Sequence, residues 1–279
     1  MLKIKNKVFL YGMPRSGTTW IMELLESSIS SSISINEPFV GIKPFLFFKN
    51  LHMPLRILKE NFSPISTNYI QSILDKNFFR HNFFNDRKFT RTLNYIFART
   101  MIIKFVRCNK SIPFLFESFP DASVIIINRS PLSVTKSMLN HGSWNLLNNI
   151  VERLQLYDLN PFKEITGVSP RAFLSLNPIS QLFLTNLYEY KILEQTSVNP
   201  SFTYLKYQQI RNDPDLLLSS LPNSLQEIIS KKKFTNNFSK KSFSTKINQD
   251  YTNEGLLQIL EEDINKNDLI SEKINLQTF

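Results

Sequence analysis

Val8-Phe9-Leu10-Tyr11-Gly12-Met13-Pro14-Arg15-Ser16-Gly17-Thr18-Thr19-Trp20 is the stretch on which the fold turns. It opens with an apolar run of the kind a strand buried on both faces requires. A turn containing Gly12, Pro14 and Gly17 follows, and Trp20-Ile21-Met22-Glu23-Leu24-Leu25 then carries a helical pattern. Strand, glycine turn and helix start together aim several backbone N–H groups and the positive end of a helix dipole at one anion. The spacing from Gly12 to Gly17 matches the phosphate-binding loop G-x-x-x-x-G-K-S/T except at one position, where Thr18 replaces the lysine. Arg15 carries the cation inside the loop instead. A nucleoside triphosphatase uses that lysine on its β and γ phosphates and the next hydroxyl on magnesium. A loop without it suits a ligand with a shorter 5′ end and no metal.

Outward from the loop, the first forty residues read as a βαβ unit. The helix runs from 17 to about 29, and the serine-rich tract 27–35 alternates near its end like a short strand that stops at Asn36-Glu37-Pro38-Phe39. Such a unit implies a parallel sheet covered on both faces. Glu37 falls at the C-terminal end of a strand, the edge where open α/β sheets bind ligands. Its two readings are an ordinary solvated glutamate before a proline and a carboxylate placed to move a proton.

A second stretch repeats the logic. Phe119-Pro120-Asp121-Ala122 leads into the wholly apolar Val124-Ile125-Ile126-Ile127, which emerges into Asn128-Arg129. Ser130 is suited to cap the next helix and Pro131 to its first turn. A triphosphatase usually ends this strand in a magnesium-holding aspartate. Here it ends in arginine, which binds an anion directly and bidentately. Ser137 lies seven residues after Ser130, two helical turns on, and so shares its face.

Pro14-Arg15-Ser16-Gly17-Thr18-Thr19-Trp20 resembles the 5′-phosphosulfate loop of the sulfotransferases that use 3′-phosphoadenosine 5′-phosphosulfate (PAPS). The segment from Phe119 to Ser137 is similar to that family's signature for the 3′-phosphate of the same nucleotide. The resemblance covers 7–38 and 101–137 well and 202–214 loosely. It implies a P-loop-like three-layer α/β fold, with a central parallel sheet of about five strands and helices on both faces. It also implies sulfuryl transfer from PAPS to a hydroxyl, leaving adenosine 3′,5′-bisphosphate, with no metal. By the same resemblance Ser16, Gly17, Thr18 and Thr19 hold the 5′-phosphate, and Arg15 stabilises the leaving oxygen. Trp20 stacks on the adenine, and Arg129 and Ser137 hold the 3′-phosphate. Cytosolic relatives place a Lys-x-His on the next strand, the histidine acting as base; this chain has Lys104-Phe105-Val106. That departure sets it nearer the bacterial and Golgi carbohydrate type and assigns the base to Glu37.

The remaining chain supplies context. Between 41 and 100, aromatic residues alternate with Lys and Arg, and Tyr69-Ile70 with Ile73-Leu74 shows helical spacing. This reads as a helical insertion lining the acceptor cleft, and its charge suits an acceptor that is a carbohydrate and itself anionic. Phe202 to Pro214 reads as the last core strand and a turn, with a structural role only. The lysines between 231 and 246 read as a solvated face, and residues 250–279 as a polar helical tail. One domain is expected over 1–279.

Formal charge is +10 and the isoelectric point about 9.6, which makes a nucleotide, a polyanion or an acidic membrane surface plausible partners. Nucleic acid is not among the expected partners. Cys108 is the only cysteine, excluding an intrachain disulfide or a cysteine zinc site and fitting a reducing compartment. No run is long enough to span a bilayer, so a cytoplasmic enzyme without a transmembrane segment is expected. Two rival readings stand beside the sulfotransferase: a P-loop phosphotransferase, and a non-catalytic polyanion-binding protein on the same scaffold.

Overall fold

β1 (Asn6–Gly12) is the middle strand of a five-stranded sheet ordered β2-β3-β1-β4-β5, with every neighbouring pair parallel. The computed structural model describes residues 2–38, 64–76, 94–106, 109–141, 159–238, 251–266 and 274–276. The other strands are β2 (Ser32–Asn36), β3 (Thr100–Phe105), β4 (Ser123–Asn128) and β5 (Phe202–Lys206). Helices α1 (Thr18–Ser28), α2 (Pro64–Leu74) and α3 (Ile112–Ser118) precede β4. After it come α4 (Pro131–His141), α5 (Leu159–Thr166), α6 (Pro170–Ser175) and α7 (Pro178–Thr196). Beyond β5 lie α8 (Tyr207–Ile210), α9 (Pro214–Ser220), α10 (Asn223–Gln226), α11 (Lys231–Phe238) and α12 (Asn253–Leu260).

The inner strands β3, β1 and β4 are largely apolar on both sides because both sides are covered. Val8, Leu10, Ile102, Ile125, Ile127 and Leu205 face one way, into a layer with Trp20, Ile21, Leu24 and Leu25 of α1 and Phe234 and Phe238 of α11. Phe9 and Tyr11 face the other way. Phe9 meets Phe105 and Phe119 edge-on, each at 5.6 Å, and Tyr11 stacks on Phe105 at 4.9 Å. Each aliphatic side chain so buried contributes about 1.5–3 kcal/mol, which makes this double-sided sheet the source of the fold's stability. The expected α/β architecture, with five parallel strands and helices on both faces, is what the chain adopts.

The chain divides into two compact units: Met1–Asn128 with Thr196–Ser242, and Arg129–Gln195 with Phe243–Phe279. The first contains the whole sheet. In the second, Phe162 packs against Phe173 and Tyr188 at 5.3 and 5.4 Å, and Asn186 donates to Thr135 Oγ1 at 2.9 Å, joining α7 to α4.

Of the insertion expected over 41–100, α2 and a helical turn at 94–97 are described; its aromatics and cations from 45 to 62 and from 78 to 91 lie outside the described residues. Lys231, Lys232 and Lys233 are exposed on α11 as expected, and Lys240, Lys241 and Lys246 lie outside. The helical tail is represented by α12. Among the described residues no helix is long and apolar enough to cross a membrane.

Candidate functional site

The loop between β1 and α1 is closed tightly enough to require both its glycines. A Cβ on Gly12 would stand 2.6 Å from Thr18 Cγ2 and 2.7 Å from both the Ile127 carbonyl and Ser16 Oγ. Gly17 has φ +95° and serves as the N-cap of α1, and a side chain there would run into the ring of Tyr207. Among the described residues no side chain caps α1, and its first turn holds no acid. The amides of Gly17, Thr18 and Thr19 precede the first intrahelical bond, Ile21 N–H to the Gly17 carbonyl at 3.1 Å, and are left to an outside acceptor. The Ser16 amide donates to the Met13 carbonyl at 3.1 Å, so the contribution expected of Ser16 rests on its hydroxyl. That hydroxyl is fully buried and has no hydrogen-bond partner among the described residues. A buried polar group in this condition costs about 1–3 kcal/mol until something binds it. An anion in the cradle meets that need, so the residues present fit a bound phosphate.

Arg15 holds a left-handed backbone at φ 65°, a conformation that costs a non-glycine residue about 1–2 kcal/mol. Burial lowers the pKa of its guanidinium, and the neighbouring Tyr207 raises it in opposition. The group stays cationic, and its partial desolvation strengthens its pull on an anion. Glu37, just past β2, has φ 46°, although the residue before a proline favours an extended backbone. Neighbours hold it there: its amide donates to the Lys104 carbonyl at 2.8 Å, and Tyr69 of α2 donates to the Pro38 carbonyl at 3.0 Å.

Two residues reach the loop beyond those assigned to it from the sequence, which left Lys104 open between facing the site and merely ending a strand. Lys104, 4 % exposed at the end of β3, donates its Nζ to Thr19 Oγ1 at 2.9 Å. Its main-chain carbonyl holds the Glu37 amide while its ammonium holds the first turn of α1, so one residue ties the backbone at Glu37 to the loop. Its place at the end of a strand next to β1 was the available signal. Tyr207 starts α8 directly after β5 and lies against Gly17 and Trp20; nothing in its sequence neighbourhood marked it.

Trp20, expected to carry an adenine, is 5 % exposed and meets Tyr207 and Phe238 edge-on at 6.1 and 5.2 Å. Stacking a base on it requires one of those rings to move. A depression of about 180 Å³ adjoins it, lined by Trp20, Glu23, Leu24, Ser27 and Asn237.

The second unit begins with Arg129, which follows Asn128 of β4; the Asn128 side chain donates to Tyr204 OH at 2.7 Å. Ser130 Oγ accepts the Ser133 amide at 3.2 Å, the capping bond its sequence position promised. Arg129 and Ser137 are both partly exposed, Ser137 in the second turn of α4.

Fold and loop together define an α/β protein whose first strand and helix are joined by a loop with phosphate-loop glycine spacing but without the lysine of nucleoside triphosphatases. The family model described as "Sulfotransferase family" matches residues 7–160, more than half of the chain, and the protein belongs to that family. No curated protein matches the sequence. Among solved structures the chain is similar to the sulfotransferase STF9 from Mycobacterium avium, with 15 % identity, a TM-score of 0.43, and coverage of 94 % of this chain and 76 % of that one. A sulfotransferase from Alicyclobacillus acidocaldarius matches over 100 % of both chains at 10 % identity and a TM-score of 0.43. STF1 from Mycobacterium tuberculosis H37Rv matches at 11 % identity and a TM-score of 0.42, covering 93 % of this chain and 77 % of that one.

Gly17→Ala tests the cradle. The strained φ and the clash with Tyr207 should together cost on the order of 2 kcal/mol in urea unfolding. Adding Tyr207→Ala should restore the part due to the ring. A single-variant loss below about 0.5 kcal/mol would show that the loop does not depend on this glycine.

Proposed function

We propose that this sulfotransferase takes its sulfuryl group from PAPS and delivers it to a hydroxyl, that of a carbohydrate in preference to lipid, peptide or phenol. The lysine-free loop carries the reading. Three open amides, a buried Ser16 hydroxyl and one half-buried arginine suit a single phosphate and make no provision for a magnesium-bound triphosphate. Bound there, PAPS supplies an S–O bond whose leaving group is a phosphate.

The chain's own residues do the rest. Amides of Gly17, Thr18 and Thr19, with the Ser16 hydroxyl, hold the 5′-phosphate, and Lys104 fixes Thr19. Arg15 offsets the charge that grows on the leaving oxygen as the S–O bond breaks, help of the preorganised electrostatic kind. Arg129 and Ser137 take the 3′-phosphate, a group ATP lacks. Trp20 borders the adenine once Tyr207 or Phe238 gives way. Glu37 accepts the proton of the acceptor hydroxyl as its oxygen bonds to sulfur, so sulfate ester and adenosine 3′,5′-bisphosphate leave together. The Glu37-Pro38 step and Val106 at the histidine position favour the carbohydrate acceptor, and the single cysteine favours the cytoplasm.

Thermal denaturation with nucleotides tests the donor. Adenosine 3′,5′-bisphosphate at a hundred times its Kd should add about 2.7 kcal/mol, raising Tm by roughly 5 °C. ATP with magnesium should leave Tm in place. Equal shifts from the two would remove the case for a 3′-phosphate pocket.

A further inference from the structure

At the N-terminal ends of β1 and β3, away from the loop, residues 2–6 run beside 96–99. The Leu2 amide donates to the Ile96 carbonyl at 3.2 Å, and the Lys5 and Asn6 amides donate to the Arg99 carbonyl at 2.7 and 3.1 Å. Ile4 and Ala98 turn inward and are buried, while Leu2 and Phe97 stay 42 % and 57 % exposed beside exposed Lys3, Lys5 and Arg99. Phe97 is held in that position. Lys76, buried two residues past α2, donates its Nζ to the Ile96 carbonyl at 2.9 Å and the Ala98 carbonyl at 2.7 Å, on either side of Phe97. An ammonium buried to brace one short segment is costly, and the segment it braces presents an aromatic ring to water. Of the carboxylates nearby, Asp121 is paired with Lys7 at 2.6 Å and Asp75 accepts from Gln71 at 2.8 Å. Among the described residues Lys3, Lys5 and Arg99 make no ion pair.

We infer that this face docks on an anionic lipid bilayer, with Leu2 and Phe97 entering the headgroup boundary and Lys3, Lys5 and Arg99 lying over anionic headgroups. Exposed apolar side chains on paired segments that also carry exposed cations are what such a surface binds. A single-stranded nucleic acid would instead want several stacking rings along a basic groove, and here one of the two apolar groups is aliphatic. The loop lies at the other ends of the strands, so docking leaves it open.

Sedimentation of the full chain with vesicles tests this. It should bind vesicles of equal parts phosphatidylglycerol and phosphatidylcholine and ignore phosphatidylcholine alone. Phe97→Ser should weaken the partition about tenfold. The variant K3E/K5E/R99E should weaken it more than about a hundredfold, near fivefold for each cation removed and more for reversal. Lys231, Lys232 and Lys233 changed together to Glu should keep it. All these positions are exposed, so an unchanged Tm and unchanged nucleotide binding certify the fold and separate this result from the donor assignment. Full vesicle binding by K3E/K5E/R99E or by Phe97→Ser overturns the inference, as does binding to a single-stranded oligonucleotide without binding to vesicles.

Discussion

Arg15→Gly should lower kcat for sulfuryl transfer by about 10²–10³-fold, the usual loss when one preorganised group facing the developing charge is removed. Glycine is the informative replacement. Arg15 sits at φ 65°, so glycine relieves a strain of about 1–2 kcal/mol while costing about 0.5–1 kcal/mol in chain entropy. The variant should therefore unfold at nearly the parent's urea concentration while failing to turn over. A binding isotherm with adenosine 3′,5′-bisphosphate should weaken far less than kcat, because amides and the Ser16 hydroxyl remain. Turnover within fivefold of the parent, measured with sulfur-labelled donor, would mean the leaving oxygen is stabilised by another group, with Lys104 the nearest cation to Thr19.

The second large effect is expected at Glu37. Glu37→Gln keeps the shape, the positive φ and the amide bond to the Lys104 carbonyl, and removes only the capacity to take a proton. General-base catalysis contributes about 10²–10⁴-fold, so kcat should fall by that order with the Kd for nucleotide unchanged. A parallel loss of nucleotide affinity would instead make Glu37 a brace for Lys104 and the loop. An unchanged kcat would move the base elsewhere. The two variants should fail differently: in the proposed mechanism Arg15 acts on the departing phosphate and Glu37 on the arriving hydroxyl, so their effects should not multiply fully if the bonds break and form together.

The strained backbone at both positions has a common physical meaning. Positive φ at non-glycine residues persists only where surroundings over-determine it. Around Glu37 those surroundings are the Lys104 carbonyl and the Tyr69–Pro38 bond; around Arg15 they are the turn closed by the Ser16 amide on the Met13 carbonyl.

The amino-acid sequence by itself determined the elements whose signal is local. The apolar run before Gly12, the glycine spacing, the helix pattern after Thr18 and the run Val124–Ile127 each became the element they announced, and Ser130 capped the helix it preceded. These features depend on neighbours within one turn or one strand, which periodicity and capping chemistry record. Tertiary structure alone decided what depends on distant partners. Only the sheet order β2-β3-β1-β4-β5 could bring Lys104 to Thr19 across 85 residues, or set Tyr207 against Gly17. It decided, too, that Trp20 packs under Phe238 and that Glu37 defies the extended preference of a residue before proline. A ring on a helix is equally suited to a ligand or a neighbouring helix, and a dihedral preference of about 1 kcal/mol yields to hydrogen bonds supplied from another strand.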